Sequence, residues 1–572
     1  MRHTLVVRAR IIGALFSLAA ALLIVRLYFL QVVHGTDYRE QAVSQYVEQS
    51  PDTESRGNIF FTTKTGQLVS AAVMQTGWRI AVDPSEVGDA AAVYARLSAL
   101  TPVDEDRFMT SAGKQDDPYE EVAFRVDDAA ATKIRALKIP GVTLISDQWR
   151  FYPAHELAAQ TVGFVGYQGD TKVGVYGLEK KWQDTLSETV SGLYVNPFAE
   201  IFTNLEAAIS SDPAAHQGSI ITSIEPSVEQ QLEKTLNSVM KTYSPRLAGG
   251  IVMDPHTGEI VAMAGRPAFD PNTYGSVTDP SVFQNPLVDG RYEMGSIMKP
   301  LTMAAAIDAG AVTPKTTYND TGCITRSNKR LCNFDFKARG VVPMQQILSQ
   351  SLNVGATFLA DTMGHPAFTL YMKSYQLDQP TGIDMPNEVS GDLSTLGGGN
   401  GPDVNYATAS FGQGVAVSAV EMTRALATLA NGGVLPNPHV VTGIRYDSGI
   451  TRSINPGEGP RVLSTTTAET VTKMLQVVYD DALLDGKLKM QHYTVAAKTG
   501  TAQIPDPSTG TYYTDRYLHS FFGYFPANDP KFIIFLFVVE PHGVEYASAS
   551  LARPFYDVMQ YLINYYAIPP DR

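Results

Sequence analysis

Ser296 and Lys299 are the residues whose types and spacing most readily do chemistry, three apart in Tyr292-Glu293-Met294-Gly295-Ser296-Ile297-Met298-Lys299-Pro300. The stretch that follows (Leu301, Met303, Ala304, Ala305, Ala306, Ile307) is apolar and rich in helix formers, and Gly310 is a stop signal. Pro300 fits a first helical turn, where its missing N–H loses no bond. The pattern predicts a helix beginning near Ser296, which stacks hydroxyl and amine on one face a turn apart. Free N–H groups at such a helix start favour an anion forming beside the serine. An amine within reach takes the hydroxyl proton once burial or other cations lower its pKa toward neutrality. That is the layout of an activated serine nucleophile.

A bare S-x-x-K arises by chance roughly once in a chain this long, so alone it decides nothing. Two later stretches change the weight. Ser351-Leu352-Asn353 opens another apolar-periodic segment, and Lys498-Thr499-Gly500 ends a strand-like run, Tyr493 to Ala497. Coincidence would now need three short patterns in order.

The elements that must position these residues belong to more than one domain, because 572 residues are too many for one core. A net charge of −14 argues against a nucleic-acid binder, which would show a basic face. Gly397-Gly398-Gly399-Asn400-Gly401 lacks the flanking strand and helix of a phosphate loop and reads as a mobile loop. The ten histidines are scattered without metal spacing, so neither metal nor cofactor is expected.

Arg2, His3, Arg8 and Arg10 precede an apolar run from Ile11 to Val25, which Arg26 interrupts before Leu27 to Val33. A helix over 11–33 is long enough to span a bilayer, with Arg26 toward the far side. A cleaved signal peptide is the competitor, but bulky Tyr28, Phe29 and Leu30 stand where small residues would be needed. The expectation is an uncleaved single-pass anchor with residues 1–10 cytoplasmic and everything after His34 outside. Cys323 and Cys332 then lie where a disulfide is permitted, although two free thiols stay equally open.

Residues 34–217 read as a membrane-proximal α+β pedestal, in which Arg56 is structural rather than catalytic. The second domain, 218–572, starts with a strand at Ile220 to Ile224 and an amphipathic helix from Ser227 to Thr242. A hairpin follows around Asp254-Pro255-His256-Thr257-Gly258. Ser520 to Phe525 and Phe532 to Val539 read as buried strands, and Phe555 to Tyr566 as a closing helix. Strands at both ends with helices between predict an α/β domain whose sheet joins chain-distant pieces.

The three motifs in order are those of penicillin-binding proteins and serine β-lactamases. The chain as a whole resembles the class B penicillin-binding proteins, membrane-anchored peptidoglycan D,D-transpeptidases. The likeness runs through Arg26-Leu27-x-x-Leu30-Gln31-Val32, Arg56-Gly57-x-Ile59, Gly177-Leu178-Glu179, Asp254-Pro255-x-Thr257-Gly258-Glu259 and Phe269-Asp270-Pro271-Asn272. Phe411-Gly412-Gln413-Gly414 and Leu429-Ala430-Asn431-Gly432-Gly433 also fit. Ser520-Phe521-Phe522-Gly523-Tyr524-Phe525-Pro526 and the short pedestal favour the division-type (FtsI-like) branch over the elongation branch. One departure is Met294, where the family usually has proline.

The resemblance implies a transpeptidase domain with a central antiparallel sheet flanked by helices, preceded by the anchor and a dimerisation-type pedestal. It implies that Ser296 is acylated by a D-Ala-D-Ala stem peptide, with Lys299 as general base. Ser351 relays the proton to the leaving amine, and Asn353 binds substrate amide and lysine. Lys498 keeps the site electropositive, Thr499 and Thr501 hold the substrate carboxylate, and Gly500 lets substrate lie against the strand. The oxyanion hole would be the N–H groups of Ser296 and Thr501. Expected partners are stem peptides, β-lactams, the bilayer, a polytopic glycan polymerase and other division proteins, with no nucleic acid. A serine β-lactamase would need a base that activates water for deacylation, and a non-catalytic scaffold would have lost a reactive residue.

Overall fold

The computed structural model describes residues 56–114, 116–169, 171–187, 217–446 and 448–572. The anchor expected over 11–33 lies outside them. Among the described residues no helix is long and apolar enough to cross a membrane.

Two compact units form. The smaller holds residues 76–148 of the described chain. There, the strand Leu68–Val82, from Thr76 onward, pairs antiparallel with Glu120–Val126, and helices Ala90–Ser98, Glu105–Ala112 and Asp128–Leu137 pack beside them. Asp89, Asp104 and Asp127 cap those helices by accepting backbone N–H bonds, and Leu97, Phe108, Val126 and Ile134 centre their core.

The larger unit gathers Arg56–Gln75, Trp149–Ser187 and Gln217–Arg572. It therefore draws in stretches on the N-terminal side of the expected boundary at 217/218. Its centre is a five-stranded, wholly antiparallel sheet. The helix α1 (Pro226–Tyr243) leads into the hairpin β1 (Leu247–Met253) and β2 (Ile260–Arg266). Far along the chain come β3 (Ala496–Asp506), β4 (Thr511–Phe525) and β5 (Phe532–Val539), and the spatial order is β3-β4-β5-β1-β2. The sheet thus joins the two ends of the domain, as the pattern predicted.

Successive side chains of β5 alternate between two cores, which explains its unbroken apolar run. Ile534, Leu536 and Val538 join α1 and the closing helix α2 (Ala547–Tyr566) on one face. Ile533, Phe535 and Phe537 join the other core, with Ile297 and Leu301. The closing helix begins two turns before the expected Phe555, because Pro554 sits inside it rather than marking a start. Gly177 to Leu186, expected as one helix-like stretch, is two short helices, Gly177–Lys181 and Gln183–Leu186.

Candidate active site

The nucleophile segment is not the start of a regular α-helix. Gly295–Met298 forms a 3-10 turn that runs directly into the α-helix Lys299–Asp308. In 3-10 geometry side chains at i and i+3 eclipse, which superposes Ser296 and Lys299 more closely than an α-turn would. Lys299 Nζ lies 2.9 Å from Ser296 Oγ. The helix is buried all round from Lys299 to Ala306, so its first residue brings an amine into the interior.

Ser351 sits in the turn between helices Met344–Ser349 and Asn353–Met363, with φ of 54°, a left-handed conformation rare for a non-glycine residue. That turn aims both its carbonyl and its hydroxyl at Lys299, 2.6 Å and 3.1 Å from Nζ. Asn353 Oδ1 is 2.8 Å from the same Nζ, while its Nδ2 donates to Cys332 O at 2.9 Å. The second bond fixes the amide so that its oxygen, not its nitrogen, meets the lysine.

This geometry limits what the amine can do. A neutral amine has two N–H bonds and one lone pair. Ser351 O and Asn353 Oδ1 can only accept, so they take both N–H bonds. The lone pair is left for a hydroxyl proton, and Ser296 supplies one at 2.9 Å. Burial first, and Lys498 second, push the Lys299 pKa well below the ordinary value of 10.5.

Lys498 enters from β3. Its Nζ is 3.1 Å from Ser351 Oγ and donates to Thr499 O at 2.9 Å; burial pushes its pKa to about 7. The Lys498-Thr499-Gly500 motif lies inside β3 rather than ending a strand, for β3 continues to Asp506. The polar residues past Gly500 hid that continuation. β3 is the edge of the five-stranded sheet. Gly500 faces Ser520 of β4, and a Cβ there would lie 2.3 Å from Ser520 Oγ and 2.7 Å from Met294 O. Glycine is needed for the nucleophile turn to sit against the strand. Thr501 Oγ1 accepts the Ala547 N–H at 3.1 Å, which leaves its hydroxyl proton available.

Ser296, Lys299, Ser351, Asn353 and Lys498 thus form one connected cluster. A ring contact bridges its outer side, where Phe334 meets Tyr546. Cys323 and Cys332 are cross-strand partners in the hairpin Cys323–Arg326/Lys329–Cys332 and are joined by a disulfide. Sequence reasoning did not see the Cys332 carbonyl beneath Asn353, since a backbone acceptor has no residue signature. Nor did it see Asn333, whose Oδ1 accepts the Val354 N–H at the start of the Asn353 helix. Glu293 was also missed. It accepts the Tyr512 hydroxyl at 2.9 Å, and burial raises its carboxyl pKa.

Comparison with known proteins bears on this cluster. Residues 248–560 match the penicillin binding protein transpeptidase domain, and 52–196 match the penicillin-binding protein dimerisation domain. The chain belongs to the class B penicillin-binding proteins. Its reaction is serine-type acyl transfer. It is 27% identical to stage V sporulation protein D of Bacillus subtilis, over 96% of this chain and 84% of that protein. It is 25% identical to the peptidoglycan D,D-transpeptidase FtsI of Escherichia coli K12, over 97% and 91% respectively. Among solved structures, penicillin-binding protein 2X of Streptococcus thermophilus superposes with a TM-score of 0.70 at 21% identity, covering 89% of this chain and 80% of that one.

Proposed function

We propose that this class B penicillin-binding protein cross-links peptidoglycan stem peptides in septal wall synthesis during division, through an acyl-enzyme on Ser296. The observation that carries the site assignment is the Lys299 amine, whose two N–H bonds are consumed by pure acceptors while its lone pair faces the Ser296 hydroxyl. Ser296 Oγ attacks the carbonyl of the penultimate D-alanine and its proton passes to Lys299 Nζ. N–H groups of Ser296 and Thr501 receive the oxyanion. Ser351, 3.1 Å from both lysines, relays the proton to the amine of the terminal D-alanine as the C–N bond breaks. Lys498, Thr499 and Thr501 bind the substrate carboxylate, and Gly500 lets the peptide lie along the β3 edge. An amine of a second stem peptide then attacks the ester and regenerates the Ser296 hydroxyl.

β-Lactams enter the same path, because their strained amide is acylated onto Ser296 without a departing amine. Intact mass after penicillin treatment tests this. One adduct is expected, absent in Ser296→Ala; an adduct persisting in that variant overturns the assignment.

The division role rests on the Ser520 to Pro526 stretch and the short pedestal. The segment 11–33 is assigned as a single-pass anchor that places the catalytic unit outside the cytoplasmic membrane. Arg26 would cost about 2.5–3.5 kcal/mol at a bilayer centre, which a plain tether has no use for. It is assigned a contact on a polytopic glycan polymerase. Exchange of this segment for an unrelated span should keep penicillin binding and abolish co-purification with the polymerase; retained co-purification and division overturn the contact.

A further inference from the structure

Ser520 is a hydroxyl set in an apolar strand. Its neighbours Phe521 and Phe522 are fully buried, and so is Ser520 itself. A hydroxyl at such a place needs a partner. Ser520 Oγ donates to Met294 O at 2.8 Å and lies 3.4 Å from Gly500 O. The other polar atom of that same peptide unit, the Gly295 N–H, donates to Gly412 O at 3.0 Å. The plane between Met294 and Gly295 is therefore pinned at both ends, by β4 on one side and by the Phe411 to Gly414 turn on the other. The fit on the second side is tight, since a Cβ at Gly412 would lie 2.2 Å from Gly295 O.

The next N–H along the chain is that of Ser296. Between it and the pinned plane stands only Gly295, at φ of 65°, a residue with the widest choice of backbone conformations. The direction of the Ser296 N–H therefore depends on the preceding plane staying in place. Met294 adds no restraint of its own. It lies at φ −83° and ψ −8°, near what proline would impose covalently, but methionine leaves that torsion free to turn. No hydrogen bond of the Met294 N–H is among those of the described turns and loops, so proline there would remove none.

We propose that Ser520 is a positioning residue for the oxyanion hole: its hydrogen bond to the Met294 carbonyl holds the Ser296 N–H where the tetrahedral oxyanion forms. This deepens the acyl-transfer reading above and rests on it. Ser520 touches no reacting atom, so its loss should slow the chemical step and leave binding alone.

The test is saturation kinetics of acylation by a fluorescent penicillin on the full-length protein in detergent, which separates the dissociation constant of the initial complex from the acylation rate constant. Loss of an oxyanion donor outright costs about 10²–10³ in rate, and a loosened donor less. Ser520→Ala should lower the rate constant by about 10- to 100-fold with an unchanged dissociation constant. Ser520→Cys, similar in size but a weaker donor, should fall between, and it carries the test if the alanine variant does not fold. Met294→Pro should leave the wild-type rate intact and recover part of the loss in Ser520→Ala or Ser520→Cys, by restoring restraint to the same plane. A rate constant equal to wild type in the serine variants, a loss carried by the dissociation constant, or no recovery by proline would overturn the proposal. An adduct surviving in Ser296→Ala would instead remove the reading beneath it, so the two failures are distinguishable.

Discussion

Arg56 and Arg150 meet across Glu179, whereas Lys299 and Lys498 meet across Ser351. Both clusters belong to the larger unit and both are almost wholly buried. Glu179 accepts Arg56 Nε and Arg150 Nε at 2.6 Å each, and Arg56 reaches Gln183 Oε1 and Glu179 O as well. The two guanidinium groups hold the Glu179 carboxyl below its ordinary pKa against the opposing effect of burial. The lysines have only each other. No carboxylate is among the groups that shift either amine. Arginine keeps its proton under burial, so two of them require a counter-charge. Lysine escapes by releasing its proton, and the released state is the one a general base needs. The difference separates a cluster that holds the fold from one that does chemistry.

The largest effect should come from the unpaired cluster. Lys299→Ala should slow penicillin acylation by about 10²–10⁴-fold while the melting temperature changes little. Acylation near the wild-type rate at neutral pH would assign the base elsewhere. Glu179→Gln should do the reverse. It leaves two buried guanidinium groups uncompensated and should cost about 3–5 kcal/mol in denaturant unfolding, with the acylation rate of the folded fraction unchanged. A slower rate in the folded fraction would merge the two clusters. Since the folded-state pKa of Glu179 lies below 4.5, its stabilisation is complete above that value. It should be lost as pH falls through the lower folded-state value, a loss absent from the variant.

Reduction of the Cys323–Cys332 bridge is expected to be milder. Closing so short a loop stabilises by about 2–3 kcal/mol, and the hairpin also carries the Cys332 carbonyl that orients Asn353. Thermal melts with and without reductant should differ, with acylation slowed; identical melts would show that the bridge does not stabilise the hairpin. The smallest effect concerns Lys498→Gln. With that positive charge gone, the Lys299 pKa should rise, and the acid limb of the acylation profile should move to higher pH. An unmoved limb would uncouple the two amines.

Much of this site was legible because each motif keeps its chemistry within three residues of chain. Ser296 with Lys299, Ser351 with Asn353, and Lys498 with Gly500 carry spacings that a backbone turn or strand must honour. The sheet was legible for a similar reason: β5 is apolar at every position because both of its faces are covered. What the sequence hid was whatever depended on a backbone atom or a distant partner. The 3-10 turn at Gly295, the Cys332 carbonyl, and the Ser520 bond to Met294 O have no residue pattern that announces them. Arg56 looked structural, but its partners Glu179 and Gln183 lie more than a hundred residues away. The polar half of β3 was lost because nothing in Ala502 to Asp506 alternates strongly enough to mark a strand.

The central claim is that Lys299 stands neutral beside Ser296 at neutral pH, and the pH profile of acylation by penicillin measures it directly. The rate should rise on the acid side with a midpoint far below 10.5 and decline as Lys498 loses its proton near about 7, the two limbs belonging to the coupled pair. A rate still climbing about tenfold per pH unit beyond pH 9, as an ordinary lysine would require, would contradict the account.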